Sequence, residues 1–177
     1  MANLCSFSMY VRGKHGDIEQ FYNAMSQRGH IYMGRGAEAE IIWDDDDVAA
    51  IDGWCKWSVI SSLVDNAISM RTEPNKWAFD EEDKDREFIT LFEACKKWNL
   101  SMEVYSEEGG CCFQEHYVCI NGDVLIDDCV DWCEYCLDDY DTKEEAEEEL
   151  DIEITDEEWE EGGFISRGGF ENWDFEI

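Results

Sequence analysis

The 177-residue sequence predicts an α+β fold, an antiparallel sheet with helices on one face, followed by an acidic helical segment. Three observations carry that reading. Alternating and helix-periodic stretches follow one another as strand, helix, strand, further elements, helix and three consecutive strands, an order that suits helices segregated to one side of an antiparallel sheet. Asn121-Gly122 stands between two alternating runs, the strongest short-range hairpin signal there is. Asp138 to Glu161 holds fifteen Asp or Glu and one Lys, and its capping signals point to helix.

Asn3 to Val11 alternates Cys5, Phe7, Met9 and Val11 against Leu4, Ser6, Ser8 and Tyr10, which reads as a half-buried strand. Gly13 to Gly16 turns, and Asp17 caps a helix that places Ile18, Phe21, Tyr22 and Met25 on one face and closes at Gly29. Ala37 to Trp43 is a second strand with Ala37, Ala39 and Ile41 on one side, and Asp44 to Asp47 is a sharp acidic turn. Val48 to Trp57 is strand-like despite Gly53, whereas Ser58 to Met70 fits helix and strand alike. Thr72 to Asn75, with the only proline, is a loop. Asp80 to Asn99 reads as one helix, with acids in its first turn, Phe88, Leu91, Phe92, Cys95 and Trp98 at core spacing, and Lys96 and Lys97 near its end. Leu100 to Ser106, Cys112 to Asn121 and Asp123 to Trp132 are the three closing strands.

Within the acidic run, Thr142-Lys143-Glu144-Glu145 has the form of a capping box, with Glu145 placed to reach back to the Thr142 amide and Ala146 and Leu150 forming a thin apolar stripe. Asp151 to Ile154 alternates like a short strand or an extended link. Thr155 to Glu158 repeats the box, Ile154 and Trp159 occupy the two positions of a hydrophobic staple, and Gly162-Gly163 ends the helix. Were the run largely helical, it would present roughly one negative charge per 2.4 Å, against about one per 1.7 Å along duplex DNA. Trp132, Tyr135, Phe164, Phe170, Trp173 and Phe175 bracket it, and Tyr140 and Trp159 lie within it, as expected of a segment that packs rather than a mobile tail. The expected division is a domain over residues 1–137 and an acidic C-terminal extension over 138–177 packed on it.

The formal net charge is −32, and Trp98 to Ile177 contributes 27 acidic residues against two basic ones. Such a field repels nucleic acid and anionic membranes and draws in cationic proteins. Dispersed acid with few Cys, Trp and Lys would suggest adaptation to high salt, but here the acid is clustered and accompanied by nine Cys and eight Trp. The sparse basic residues Arg28, Arg35, Lys56 and Lys76 form no cluster for direct nucleic-acid binding. Met1 to Cys5 lacks a basic n-region and an apolar h-region, and no apolar run reaches bilayer length, so a cytoplasmic chain with reduced thiols is expected.

Met1-Ala2-Asn3-Leu4-Cys5 followed by Val11-x-Gly13 resembles the opening of the YubB-like, ferredoxin-like proteins of phages and plasmids. Gly53-Trp54-Cys55-Lys56-Trp57 is similar to their tryptophan-bracketed internal strand, and the helix ending at Trp98 with Leu100 to Gly110 to their later helix-strand unit. The likeness covers roughly residues 1 to 125, with Leu4 where those proteins have Trp and no counterpart to the acidic C-terminus. It implies a ferredoxin-like fold and a mobile-element origin, and it transfers no catalytic residue.

Cys129-x3-Cys133-x2-Cys136 is the best metal candidate, with Cys111, Cys112, His116 or Cys119 as a fourth ligand, yet a second clean CxxC is missing and buried free thiols are the better reading. Cys111-Cys112 beside His116 can be drawn as nucleophile and base, but the arrangement reads as accidental. Neither a catalytic centre nor a cofactor is expected. Asp44 to Asp47 lacks the spaced ligands and turn glycine of a calcium loop.

The expected function is that of a phage or mobile-element anti-defence protein, an anti-CRISPR inhibitor that acts as an acidic DNA mimic. It would occupy the channel of a basic nucleic-acid-binding protein, a CRISPR nuclease, by means of Asp138, Asp139, Asp141, Glu144, Glu145, Glu147, Glu148, Glu149, Asp151, Glu153, Asp156, Glu157, Glu158 and Trp159. Exposed members of Trp159, Phe164 and Trp173 would add desolvated anchors. The alternative is a non-catalytic accessory module, anti-restriction or zinc-binding, whose acidic tail only solubilises it.

Overall fold

The computed structural model describes residues 4–25, 31, 39–56, 58–59 and 89–177. Its elements are β1 (Leu4–Arg12), α1 (His15–Met25), β2 (Ala39–Asp45), β3 (Val48–Lys56), α2 (Leu91–Trp98), β4 (Ser101–Glu108), β5 (Phe113–Ile120), β6 (Asp123–Cys136), a 3-10 turn (Leu137–Asp139), α3 (Lys143–Leu150), α4 (Asp156–Glu161) and β7 (Phe164–Gly168). The strands form a seven-stranded sheet in the order β2-β3-β1-β4-β5-β6-β7, antiparallel at every pairing. The sequence thus predicts the α+β class and each of these strands from β1 to β6 correctly.

Alternation in β1 decides which face is covered. Cys5, Phe7, Met9 and Val11 are buried and meet Ile18, Phe21 and Met25 of α1, Leu91 and Cys95 of α2, and Met102 and Val104 of β4 in one apolar core. Phe21 meets Trp98 edge to face, with ring centroids 6.4 Å apart, which ties the two helices together over the sheet. The β5-β6 hairpin turns through Asn121 and Gly122, at φ 54° and 89°, both in the left-handed region that such a tight turn demands.

Several boundaries differ from expectation: β2 runs on through Asp44 and Asp45 of the expected turn, and β6 continues four residues beyond Trp132 to Cys136. Helix α1 begins at His15, because the amides of Asp17 and Ile18 already bond to the Lys14 carbonyl, so Asp17 lies in the first turn instead of capping it. Of the helix expected over Asp80 to Asn99, residues 80–88 lie outside the described residues, and Ile89 and Thr90 are not helical. Thr90 is extended and its hydroxyl accepts the Glu93 amide, while the Glu93 carboxylate accepts the Thr90 amide, a complete capping box that starts α2. The expectations for Ala37, Gly29, Thr72 to Asn75 and the bulk of Ser58 to Met70 fall outside the described residues.

Candidate interaction surface

Following β6, the chain folds the acidic run around a small second core of Leu137, Ala146, Ile154 and Ile165, with Tyr135, Tyr140, Leu150, Ile152 and Trp159 packed against it. Ile165 enters that core from β7, which pairs with the distal part of β6 from Trp132 to Cys136. Both threonine signals act as helix starts. Thr155 makes the full box with Glu158, whereas Thr142 makes half of one: its hydroxyl accepts the Glu145 amide at 3.2 Å, and Glu145 reaches past it to the Asp141 amide at 3.3 Å.

The run is not a single helical rod. Helix α3 has eight residues and α4 has six, joined through Asp151 in the left-handed conformation and an extended link. The charge spacing of about 2.4 Å therefore applies only within each short helix. Two internal cations hold the helices in place. Lys143 Nζ lies 2.7 Å from Asp156, bridging α3 and α4, and Arg167 of β7 places two nitrogens 2.9 Å from the two oxygens of Glu158. These contacts pull the Asp156 carboxyl below its usual range and hold Glu158 at about 2, chiefly through the Arg167 hydrogen bond and then the Thr155 amide.

The sequence-derived site residues separate into two sets. Asp138 accepts the Gly163 amide, Glu147 the Ile154 amide and Glu145 the Asp141 amide, so these acids with Asp156 and Glu158 build the fold. Among the described residues, the exposed carboxylates of Asp139, Glu144, Glu148, Glu149 and Glu157 have no hydrogen bond or ion pair, and Asp141, Asp151 and Glu153 are also exposed. Trp159 is half-buried as a staple partner of Ile154, while Phe164 is 69% exposed.

The tail beyond β7 turns back across the sheet face that carries no helix. Phe170 donates its amide to Gln114, Trp173 stacks on Tyr105 at 5.5 Å, and Phe175 stacks on Tyr10 at 4.5 Å. Beneath it lies Glu103, fully buried, whose carboxylate accepts the Glu176 and Ile177 amides at 2.6 and 3.3 Å and lies 2.8 Å from His116 Nε2. Tyr105 and His116 stack at 4.0 Å within the same cluster. Sequence reading missed Glu103, because an acid at an outward position of a strand looks solvated until a distant segment covers it. The aromatic spacing of Phe170, Trp173 and Phe175 was the only signal.

The cysteine candidates disperse. Cys129 and Cys133 lie four residues apart on an extended strand, about 13 Å along its axis, too far to share an ion whose thiolate bonds are about 2.3 Å. The Cys133 thiol instead hydrogen-bonds with Cys112, pushing the Cys112 thiol up to about 11, and raises Tyr135 through a further hydrogen bond. No group of three or more His, Cys, Asp or Glu among the described residues is placed to hold a metal ion. His116 turns to Glu103, so the drawn nucleophile and base are not assembled. No helix among the described residues is long and apolar enough to cross a membrane. Compared with family models, with curated proteins and with solved structures, the chain matches none.

Proposed function

We propose that this protein is a mobile-element anti-defence inhibitor that acts without catalysis, presenting the acids of α3, α4 and the 3-10 turn to the basic nucleic-acid channel of a CRISPR nuclease in the host cytoplasm. The observation that carries the reading is the combination of an ordered scaffold with unpaired charge. Asp139, Glu144, Glu148, Glu149 and Glu157 are exposed and without partners among the described residues, whereas Lys143 and Arg167 are engaged in internal ion pairs. A tail that merely solubilised the chain would not require a core of its own beneath its charges. Charges fixed in place lose less entropy on docking than charges on a mobile arm, and their field accelerates encounter with a cationic groove.

The finer fold reading, ferredoxin-like, draws support from the order β1-α1-β2-β3-α2-β4 with β1 between β3 and β4 and β3 between β1 and β2. With the N-terminal resemblance it supports a phage or plasmid origin.

The test is DNA cleavage by several purified CRISPR nucleases, with the protein added before or after guide loading, at low and moderate salt. Inhibition relieved by excess DNA and weakened by salt is expected. Replacing Glu144, Glu148 and Glu149 together by Lys leaves the internal bonds of Glu145 and Glu147 intact and should raise the half-inhibitory concentration by about tenfold or more with an unchanged melting curve. Undiminished inhibition by that variant would sink the charge-mimic mechanism.

A further inference from the structure

On the tail-covered face of the sheet, antiparallel register brings together side chains that are far apart in sequence. Ser6 is paired with Trp54 and Ser8 with Asp52 across β1 and β3, Glu40 of β2 is paired with Asp52, and Glu107 of β4 with Ser6. With Phe7, Ala39 and Gly53 these residues line a cavity of about 440 Å³, to which the C-terminal tail adds Trp173, held by its stack on Tyr105. Trp54 is 49% exposed, its indole neither in the core nor covered.

We propose that this cavity is a binding site for an arginine side chain displayed by a basic protein partner. Three carboxylates, Glu40, Asp52 and Glu107, line it, and among the described residues none is paired with a lysine or arginine. Asp52 is oriented by the Ser8 hydroxyl at 2.6 Å and Glu107 by the Gln114 amide at 3.0 Å, which leaves further acceptor positions on both carboxylates. Two indoles and three carboxylates are the complement of a guanidinium, which is flat, permanently charged, weakly hydrated and able to bond carboxylates while stacking on an indole face. An ammonium has neither the plane nor the fork. Anionic ligands meet the carboxylates, and purely apolar ones would bury them unpaired. The volume exceeds one side chain, so the flanking backbone of the partner enters as well.

This inference rests on the reading that the partner is a basic protein, but it places a specific contact on the sheet, away from α3 and α4. The probe is N-acetyl-L-arginine methylamide, titrated into the full chain at about 0.15 M salt, where the general acidic field is screened beyond roughly 8 Å. Indole N–H resonances report the titration, with those of Trp54 and Trp173 identified from the Trp54→Phe and Trp173→Phe variants. Saturable shifts confined to these two indoles are expected, about tenfold weaker for the citrulline and lysine analogues and in both Trp54→Ala and the Glu40→Gln/Asp52→Asn double variant. Equal response to citrulline, or retention of binding in both variants, would overturn the site. So would an equal loss on replacing Glu144, Glu148 and Glu149 by Lys. Site binding without inhibition of any nuclease would remove the channel-mimic reading and leave the pocket standing, whereas inhibition without site binding would remove the pocket alone.

Discussion

Glu158 fastens α4 to β7 with one carboxylate. It closes the Thr155 capping box, accepts the Thr155 hydroxyl and takes both nitrogens of Arg167, whose second nitrogen also reaches the Glu153 carbonyl. Its folded-state pKa of about 2 lies below the ordinary 4.5, so the folded state favours the ionised form. The linked stability is therefore complete above about pH 4.5 and is lost as pH falls through about 2. Thermal melts of wild type and Glu158→Gln should differ most near neutral pH and converge as pH falls from 4.5 to 2. A gap that stays constant over that interval would show that the carboxylate's charge is not what holds the helix to β7. Glu103 shows the same dependence on distant groups: its acceptors are filled by amides 73 and 74 residues further along the chain.

Among the elements, the tail is the one whose path hangs on a single turn. Gly169, at φ +84°, donates its amide to the Asp131 carbonyl, and a Cβ there would come within 2.6 Å of the Gln114 side chain and 2.7 Å of the Trp132 ring. Gly163 also has positive φ, at +74°, but open space around its Cβ position. Gly163→Ala should destabilise by about 1 kcal/mol from backbone strain alone. Gly169→Ala should cost about 2 to 4 kcal/mol, combining strain with overpacking, and should expose the tail to protease before the rest of the chain unfolds. Urea melts and timed proteolysis check both, and equal effects at the two positions would mean that the tail is not seated as described. Helix α4 was legible because its box, staple and glycine stop all lie within ten residues. The start of α2 was misread because continuous apolar spacing from Phe88 to Trp98 outweighed the Thr90-x-x-Glu93 box, which satisfies the first amides of a new helix.

At the scale of the whole molecule, a net charge of −32 opposes the compact state that the two cores stabilise. Raising salt from about 10 mM to about 0.5 M shortens the screening length from about 30 Å to a few ångströms, and the melting temperature should rise by about 5 °C or more. The Glu144, Glu148 and Glu149 to Lys variant should show a smaller rise. A melting temperature that ignores salt would show that repulsion between these acids is already offset within the fold. The sequence by itself determined the α+β class, the strand faces, the β5-β6 hairpin, both acidic helices and the charge asymmetry, because alternation, capping and turn chemistry act between residues a few positions apart. Only the tertiary structure decided that the two acidic helices sit on a small core of their own, that Glu103 is buried, and that Trp54 and Trp173 face one cavity. Each of these depends on strand register and on a tail crossing between segments distant in sequence, and no local pattern specifies where such segments meet.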